Sequence, residues 1–368
     1  MSKIFISAGE PSGDKHAGRL LKQMKKIKPE IEFVGIGGMY CEEVGLQSIV
    51  PLSLISVVGF WEVAKKFSFF MKILAAAKKI IAGDDVQTVI LIDYPGFNLK
   101  LAEYAKSLGK KVIYYIAPQL WAWGQSRTKK LKNSVSQLIV AFPFEVEFFA
   151  KFGIETHWFG HPLLDNEIFD LPFESIENRK PLLALLPGSR KQEIHRHIPL
   201  FLNIIKLIKN DFPDLEIGIA AASVDLKNEL TGNPEIRNLN CRIYENSLQL
   251  MLQSRAGIVK TGTSTLEATL CGMPFVMVYK TSAITNFFGK HLIKLENISL
   301  TNILAKKKVV QELIQNEASP ELISKEIKKM LSNQNYALEM QNEFKKIRKS
   351  LGEKGASVRA AEFIASQL

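Results

Sequence analysis

The sequence predicts an α/β protein with two Rossmann-like, doubly wound lobes that face a cleft, followed by a helical C-terminal segment. Short, almost continuous apolar runs alternate with helix-like patterns from the first residues onward. This alternation restarts after Gly160-His161-Pro162, and the strand signals stop after Tyr279. Continuous apolar runs are typical of strands buried on both faces, and their alternation with helices is typical of parallel sheets.

The first half contains six candidate strands, each separated from the next by helix-like sequence. They are residues 4–8, 31–36, 88–92, 111–116, 137–141 and 156–159. The second half contains five, at residues 182–186, 216–221, 242–244, 257–260 and 274–279. The polar, proline-containing stretch "DNEIFDLPFESIENRKP" lies between the two series and is interpreted as their connection. We therefore expect a first lobe at residues 1–163 and a second at 164–350, with the cleft between them as the default site.

The last part of the chain has helical patterns alone. Candidate helices are residues 284–293, 309–316, 320–332, 335–351 and 356–367. A glycine-containing break from Gly352 to Gly355 precedes the terminal helix. This break allows residues 351–368 to cross back to the first lobe or to a partner protomer.

Composition limits the classes of protein to consider. The chain has 368 residues and a formal net charge of +11, which attracts nucleic acid, anionic lipid or phosphorylated substrates. The lysines are scattered and no RNA-binding aromatic motif accompanies them, so nucleic acid is not the expected partner. Three widely separated cysteines favour a reducing, cytoplasmic compartment, and no signal peptide or transmembrane run is recognised.

The turn "ISAGEPSGDKHAG" follows the first candidate strand but lacks the G-x-G-x-x-G dinucleotide fingerprint. Its carboxylates, Glu10 and Asp14, make it a poor cradle for pyrophosphate and a better binder of hydroxyl groups. Ser12 and Asp14 have an alternative interpretation as caps of the following helix. We therefore expect Glu10, Ser12 and Asp14 on the acceptor side of the cleft, with capping left open.

Asp93, in "TVILIDYPGFN", stands directly beyond a buried strand. Ligands bind outside the carboxyl ends of strands in open α/β sheets, so Asp93 is placed to accept a proton from a substrate hydroxyl. The alternative is a helix cap before Phe97. After the next strand, Trp121 and Trp123 could stack on a sugar or fill the edge of the core.

Two turns in the second half indicate a phosphate and ribose site. In "LALLPGSRKQEI", Gly188 and Ser189 offer backbone amides at a helix start, and Arg190 offers a fork of donors. The alternative is a solvent-facing turn in which Arg190 forms a salt bridge.

In "IVKTGTSTLEATLCG", Gly262 and Thr263 precede or begin a helix, and Glu267 lies one turn inside it. Ser264 and Glu267 match a capping box, and a helix start at Thr263 would instead leave Glu267 for a ribose diol. No D-x-D motif occurs, so charge on a leaving phosphate would be met by Arg190, amides and helix dipoles rather than by a metal.

The stretch "VVGFWEVAKKFSFFMKILAAAKKII" has one apolar helical stripe and further aromatic residues beside lysines. It is interpreted either as a membrane-contacting helix or as additional core packing. The candidate membrane contacts are Trp61, Val63, Phe67, Phe70 and Met71.

In order along almost the whole chain, these segments resemble the lipid-A-disaccharide synthase family. The matching stretches are "SAGEPSGDKHAG", "IDYPGFNLKL", "YYIAPQLWAWGQSR", "FPFEVEFFAKFG", "FGHPL", "LLPGSRKQEI", "GTSTLEATLCGMPFVMVYK" and "NISLTNILAKKKVVQELIQNE". The departures are minor: Thr261 replaces a serine common before the Gly-Thr pair, and residues 15–18 vary the glycine pattern after the first turn.

The resemblance implies a GT-B glycosyltransferase that needs neither metal nor cofactor. It would join UDP-2,3-diacylglucosamine to 2,3-diacylglucosamine 1-phosphate (lipid X), with inversion, to give lipid A disaccharide 1-phosphate and UDP. Asp93 would be the general base, Arg190 would bind the diphosphate and Glu267 the ribose, with Asn302 nearby. The family also implies a peripheral position on the cytoplasmic face of the inner membrane, contact with anionic lipid, and a homodimer with C-terminal exchange.

Two other classes stay open at the level of residues. One is a different GT-B transferase acting on UDP-N-acetylglucosamine, distinguished by its acceptor. The other is a two-lobed binding protein that closes on an anionic ligand without chemistry. A nicotinamide-dependent oxidoreductase is disfavoured because the dinucleotide fingerprint is missing.

Overall fold

The computed structural model describes residues 3–55, 67–122, 124–280 and 297–368. These residues form two compact units, each with its own parallel sheet. The first unit runs through Asn166 and also includes Leu351–Leu368, and the second contains the described residues between Glu167 and Ser350. The predicted fold class, two Rossmann-like doubly wound halves, is confirmed.

The first unit holds a seven-stranded sheet in the order β3-β2-β1-β4-β5-β6-β7, with every neighbouring pair parallel. The strands are β1 (Lys3–Ala8), β2 (Glu32–Ile36), β3 (Leu46–Ser48), β4 (Val86–Ile92), β5 (Lys111–Tyr115), β6 (Gln137–Val140) and β7 (His157–Trp158). The helices are α1 (Pro11–Ile27), α2 (Met39–Glu42), α3 (Leu52–Ile55), α4 (Phe67–Ile81), α5 (Pro95–Ser107), α6 (Thr128–Ser134) and α7 (Pro143–Ala150). This unit also contains the 3₁₀ helices Gln125–Arg127 and Pro162–Asp165, and a further 3₁₀ helix, Glu167–Asp170, begins the second unit.

The second unit holds a six-stranded parallel sheet in the order β10-β9-β8-β11-β12-β13. Its strands are β8 (Lys180–Leu186), β9 (Glu216–Ala220), β10 (Arg242–Tyr244), β11 (Ser254–Lys260), β12 (Phe275–Tyr279) and β13 (Glu312–Ile314). Its helices are α8 (Lys191–Lys209), α9 (Val224–Gly232), α10 (Pro234–Asn238), α11 (Ser247–Gln253), α12 (Thr263–Leu270), α13 (Leu300–Ala305), α14 (Pro320–Ser332) and α15 (Gln334–Ser350).

Both sheets reverse their strand order beside their first strand. The chain moves from β1 outward to β3 and then returns to β4 on the other side of β1, and β8 and β11 repeat this arrangement. Such a reversal separates the two flanking loops at the carboxyl ends of the strands and leaves a crevice between them. Each unit therefore has one defined position at which ligand-binding side chains are expected.

The central strands form where the sequence is apolar because both faces are covered by helices. Phe5 and Ile6 of β1 and Ile90 and Leu91 of β4 are completely buried, and they divide between two hydrophobic clusters on opposite faces of the first sheet. The rigid sheets fix the positions of the loops that follow them.

The terminal helix α16 (Ala356–Ser366) belongs to the first unit and contacts α1 of the same chain. Ala360, Ala361 and Ile364 are buried in the same hydrophobic cluster as Leu20 and Leu21. The predicted exchange of this helix between protomers stays a prediction.

Two short edge strands differ from the sequence expectations. The predicted helix at residues 309–316 is wrong, because Glu312–Ile314 pairs with β12 as β13. Leu46–Ser48 was assigned no structure and forms β3. The predicted helix at residues 284–293 lies outside the described residues.

Candidate functional site

Asp93 lies directly after β4, at the crevice of the first sheet, in a strained backbone. Its φ is 46°, that of Tyr94 is 48°, and Ile116, at the end of the neighbouring strand β5, has φ 62°. Left-handed backbone costs of order 1–3 kcal/mol for such residues and is concentrated at functional sites. Because α5 begins at Pro95 with Tyr94 as its N-cap and no side-chain cap bond, the alternative interpretation of Asp93 as a cap is not supported.

Hydrogen bonds from Asn98 stabilise the strained turn, and Asn98 was not among the predicted site residues. Its Nδ2 donates to the carbonyl oxygens of Asp93 (2.8 Å), Ile92 (3.1 Å) and Ser7 (3.2 Å), and the Ser7 hydroxyl donates to its Oδ1 at 2.6 Å. The Tyr114 hydroxyl also donates to the Asp93 carbonyl, at 2.5 Å. Asn98 thus ties β1 to β4 across the crevice.

The surroundings of Asp93 suit a proton acceptor at neutral pH. Burial raises the pKa of its carboxyl group to about 7, and the negative charge of Glu10 acts in the same direction. A general base is most effective when its pKa lies near the operating pH.

A second carboxylate, Glu145, stands near Asp93 and was missed by the sequence analysis. Its Oε1 accepts from Trp121 Nε1 at 2.9 Å, and its Oε2 accepts from the backbone N–H groups of Phe142 (2.9 Å) and Ala141 (3.0 Å). Burial raises the pKa of Glu145 to about 7, although these bonds oppose the shift.

Glu145 therefore fixes the half-buried indole of Trp121 at the same edge of the sheet as Asp93. The sequence signal for this position is a glutamate three residues after the N-cap Phe142, without the serine or threonine of a usual capping box. Trp123 lies outside the described residues.

The opening turn packs closely against the loop that carries Asp93. A side chain at Gly9 would place its Cβ 2.3 Å from the ring of Tyr94, so this glycine makes room for Tyr94. Glu10 is the N-cap of α1 by backbone position and is half-buried, and Ser12 lies inside the helix rather than at its cap.

Asp14 has a structural role that differs from both sequence interpretations. It is buried, and its carboxylate accepts from the backbone N–H groups of Gly38 (2.8 Å), Tyr40 (3.2 Å) and Cys41 (3.3 Å). It therefore secures the turn at the start of α2, and it neither caps α1 nor presents its oxygens to a sugar. Of the acceptor-side candidates, Glu10 acts electrostatically on Asp93, and Trp121 is bonded to Glu145, which does so too.

In the second unit, Gly188, Ser189 and Arg190 follow β8, and Gly262 and Thr263 follow β11. The two loops flank the crevice of the second sheet. Gly188 has φ 119° and Gly262 has φ 130°, conformations that favour glycine. These five predicted donor-binding residues therefore lie at the same edge of the second sheet, although the strands they follow, β8 and β11, are far apart in the sequence.

Glu193, on the first turn of α8, joins these two loops. Its Oε2 accepts from Ser189 N at 2.9 Å, and its Oε1 pairs with Lys260 Nζ at 2.8 Å and with Arg190 at 3.4 Å. Burial raises the pKa of Glu193, but Lys260 and Arg190 outweigh burial and hold the pKa below its usual range. Neither Glu193 nor Lys260 was among the predicted site residues.

The predicted capping box between Ser264 and Glu267 is not formed. Helix α12 begins at Thr263 with Gly262 as its N-cap and no side-chain cap bond, which puts Glu267 beyond the position that a capping box uses. Glu267 is half-buried, one turn inside the helix. The sequence predicts that Glu267 binds a ribose diol if the helix begins at Thr263, and the helix does begin there. The ribose contact itself stays a prediction.

Asn302 is committed to the protein's own backbone. Its Oδ1 accepts from Val309 N (2.8 Å) and Val310 N (2.9 Å), while Nδ2 donates to the Val310 carbonyl (2.9 Å) and to Glu312 (2.8 Å). The side chain is completely buried. Because both the oxygen and the nitrogen of its side-chain amide are bonded within the protein, Asn302 shapes the turn before β13, and its contact with a nucleotide stays a prediction.

The candidate membrane segment is described in part. Trp61 and Val63 lie outside the described residues, as does the Phe67 side chain. Within α4, Phe70 packs against the core, whereas Met71 is 42% exposed. Ile73, two residues further along α4, is buried in the core. Among the described residues, no helix combines the length and apolar composition needed to span a bilayer.

Within the ranges that the structure describes, no three His, Cys, Asp or Glu side chains are grouped as a metal-binding cluster. His195 pairs with Glu229, and His197 contacts the Glu193 carbonyl at 2.9 Å. Both histidines thus make contacts within the second unit.

Comparisons with known proteins identify close relatives in sequence and more distant ones in fold. A family model described as lipid-A-disaccharide synthetase matches residues 4–366. A lipid-A-disaccharide synthase of Trichlorobacter lovleyi is 36% identical over 373 residues, which cover 100% of this chain and 97% of the relative.

Among solved structures, UDP-GlcNAc 2-epimerase from Neisseria meningitidis bound to UDP-GlcNAc matches with a TM-score of 0.63 and 11% identity, covering 99% of each chain. A spinosyn rhamnosyltransferase complexed with thymidine diphosphate matches with a TM-score of 0.61 and 11% identity, covering 98% of this chain and 100% of that one. At these identities the structural matches establish the fold alone.

Proposed function

Because the chain belongs to the lipid-A-disaccharide synthase family, the glycosyltransferases of lipid A biosynthesis, we propose that it joins UDP-2,3-diacylglucosamine to 2,3-diacylglucosamine 1-phosphate. The products would be lipid A disaccharide 1-phosphate and UDP. The observation that carries the proposal is the strained, half-buried Asp93, whose pKa is raised to about 7 at the crevice of the first sheet.

In the proposed reaction, the Asp93 carboxylate removes the proton from the 6-hydroxyl of the acceptor. The hydroxyl oxygen attacks the anomeric carbon of the donor from the face opposite UDP, forming a β(1→6) bond as the bond to UDP breaks. Glu10 supports this step because its charge raises the pKa of Asp93. Trp121, held by Glu145, offers a ring face near the reacting hydroxyl.

The donor would bind at the crevice of the second sheet. Arg190 and the amides at the start of α8 are suited to the diphosphate, and Glu267 to the ribose diol. Charge on the departing UDP is then met by a fixed guanidinium and backbone dipoles, so the proposed reaction needs no metal.

The proposal extends to a peripheral position on the cytoplasmic face of the inner membrane. The net charge of +11 favours anionic lipid, and Met71 beside the exposed Lys72 offers an apolar contact on α4. A diacylated substrate requires such an apolar entry. A homodimer with exchanged C-terminal helices is proposed from the sequence resemblance alone.

The test is an assay with UDP-diacylglucosamine and lipid X in the presence of EDTA, with product detected by mass spectrometry. We expect the tetraacyl disaccharide 1-phosphate and an equal amount of UDP, and neither when one substrate is omitted. Transfer to an undecaprenyl-linked acceptor in place of lipid X would contradict the proposal in favour of another GT-B transferase. Absence of product with either acceptor would favour a binding protein.

A further inference from the structure

Lys260 is the last residue of β11, and its ammonium group lies inside the candidate donor site. Its side chain is 19% exposed, which is low for lysine, and its Nζ is 2.8 Å from Oε1 of Glu193. Lysine is seldom buried to this extent unless it is paired. The ammonium is therefore held at the crevice rather than extended into solvent.

Arg190 shares the same carboxylate oxygen. Its guanidinium lies 3.4 Å from Glu193 Oε1, with a side chain that is 28% exposed, while Ser189 N donates to Oε2. The three donors come from the loop after β8 and the end of β11, so they approach Glu193 from both sides of the crevice. Two cations and a backbone amide thus converge on one negative charge supplied by the protein itself.

This arrangement is unbalanced, because a single carboxylate faces two cations. Lys191, the next cation on α8, pairs elsewhere, with Glu229 at 3.5 Å. The Nδ1 atom of His197 contacts the Glu193 carbonyl oxygen. Burial lowers the pKa of His197, which favours its neutral form. Two cations that share one carboxylate oxygen can each form a charge-assisted bond to a diphosphate, which carries more charge than a carboxylate.

We propose that Lys260 and Arg190 together bind the diphosphate of the sugar-nucleotide donor, and that both cations release Glu193 to do so. Glu193 is then an internal counter-ion that keeps the two cations in position while the site is empty. The proposal rests on the donor site proposed above and adds to it a second cation and the group that the diphosphate replaces. An alternative is a purely structural ion pair that joins β11 to α8.

The test compares the affinities for UDP and for uridine of the full-length protein and its variants. The variants are Lys260→Met, which removes the charge, Glu193→Gln, which retains an acceptor for Ser189 N, and Lys206→Met as a control. Lys206 is an exposed lysine on α8, the helix that carries Glu193, and Lys206 pairs with Glu235. Titration calorimetry gives both affinities, and melting temperatures verify that each variant is folded.

We expect Lys260→Met to weaken UDP binding by about tenfold or more while uridine binding is unchanged, because a charge-assisted bond to phosphate is lost. Glu193→Gln should bind UDP at least as tightly as the unmodified protein, since a competitor is removed. Lys206→Met should change neither affinity.

Unchanged UDP affinity in Lys260→Met would overturn the inference, as would an equal loss for UDP and uridine, which would indicate a structural ion pair. Weaker UDP binding by Glu193→Gln would overturn the exchange of Glu193 for the diphosphate. Failure of the unmodified protein to bind UDP would instead overturn the donor site itself.

Discussion

At the scale of single residues, the first crevice holds a carboxylate where burial and strain both act against the stability of the fold. Asp93 has left-handed backbone, and burial together with the charge of Glu10 disfavours its ionised form. Groups that cost stability in this way are retained where chemistry requires them. A neutral residue at position 93 should therefore make the fold more stable.

Replacing Asp93 with asparagine should raise the melting temperature, and the increase should be larger at about pH 8 than at about pH 5. The folded-state pKa of Asp93, about 7, lies above its usual value of 3.8. The folded protein therefore favours the protonated form, and stability falls as the pH rises from about 4 to about 7. Asparagine has no charge to bury and tolerates left-handed backbone. Thermal denaturation of both proteins at the two pH values tests this, and an increase in melting temperature that is no larger at about pH 8 than at about pH 5 would contradict it.

Single residues were predictable from the sequence where a general rule applies to one position. Asp93 and Arg190 were found because both follow a buried strand. Asn98, Glu145 and Glu193 were missed because their function depends on partners that the fold brings to them. Asn98 bonds to Ser7, which is 91 positions away in the sequence. Glu193 of helix α8 pairs with Lys260, the last residue of strand β11.

At the scale of elements, the terminal helix α16 is joined to the first unit at its start. Asp165 accepts from the backbone N–H groups of Gly355 (2.7 Å), Ala356 (3.0 Å) and Ser357 (2.8 Å), which begin this helix. A carboxylate at this position satisfies otherwise unpaired amides and also opposes the positive end of the helix dipole. The helix is thus fixed by a residue almost two hundred positions earlier in the chain.

Replacing Asp165 with alanine should reduce the free energy of unfolding by about 1–2 kcal/mol, the usual cost of losing a helix cap. Urea denaturation measures the change, and Asp84→Ala, at an exposed aspartate of the same unit, is the control. Equal stability of the two variants would show that Asp165 does not secure the helix.

Elements were predictable where they are long or buried, and less so at the edges of the sheets. The central strands and the helix Pro320–Ser332 were found because their apolar patterns are continuous or clearly periodic. Of the four short edge strands that the structure describes, β7 and β10 were predicted, whereas β3 and β13, with three residues each, were not. β13 was taken for a helix because its pairing with β12 is decided by tertiary contacts.

At the scale of the whole molecule, charge and exposed apolar surface determine what the protein associates with. The excess of positive charge is spread over the chain, and α4 carries the exposed Met71 on a helix whose opposite face is in the core. Anionic lipid would be attracted by the first feature and held by the second.

We predict that replacing Trp61, Phe67, Phe70 and Met71 with serine releases the protein from anionic vesicles in a flotation assay, while the protein remains folded. A matched variant with Met39, which is exposed on α2, replaced by serine should float like the unmodified protein. Because Phe70 packs against the core, a variant that retains Phe70 separates lost membrane contact from lost stability. Unchanged flotation of both membrane variants would remove the assignment.

The most direct measurement of the central claim is the turnover of Asp93→Asn beside its affinity for UDP. We predict that formation of the disaccharide falls by ~10²-fold or more, because no base remains to accept the proton of the acceptor hydroxyl. The affinity for UDP should be unchanged, since the donor groups lie in the second unit, and Asp84→Asn should retain full turnover. Full turnover by Asp93→Asn would contradict the claim that Asp93 is the general base.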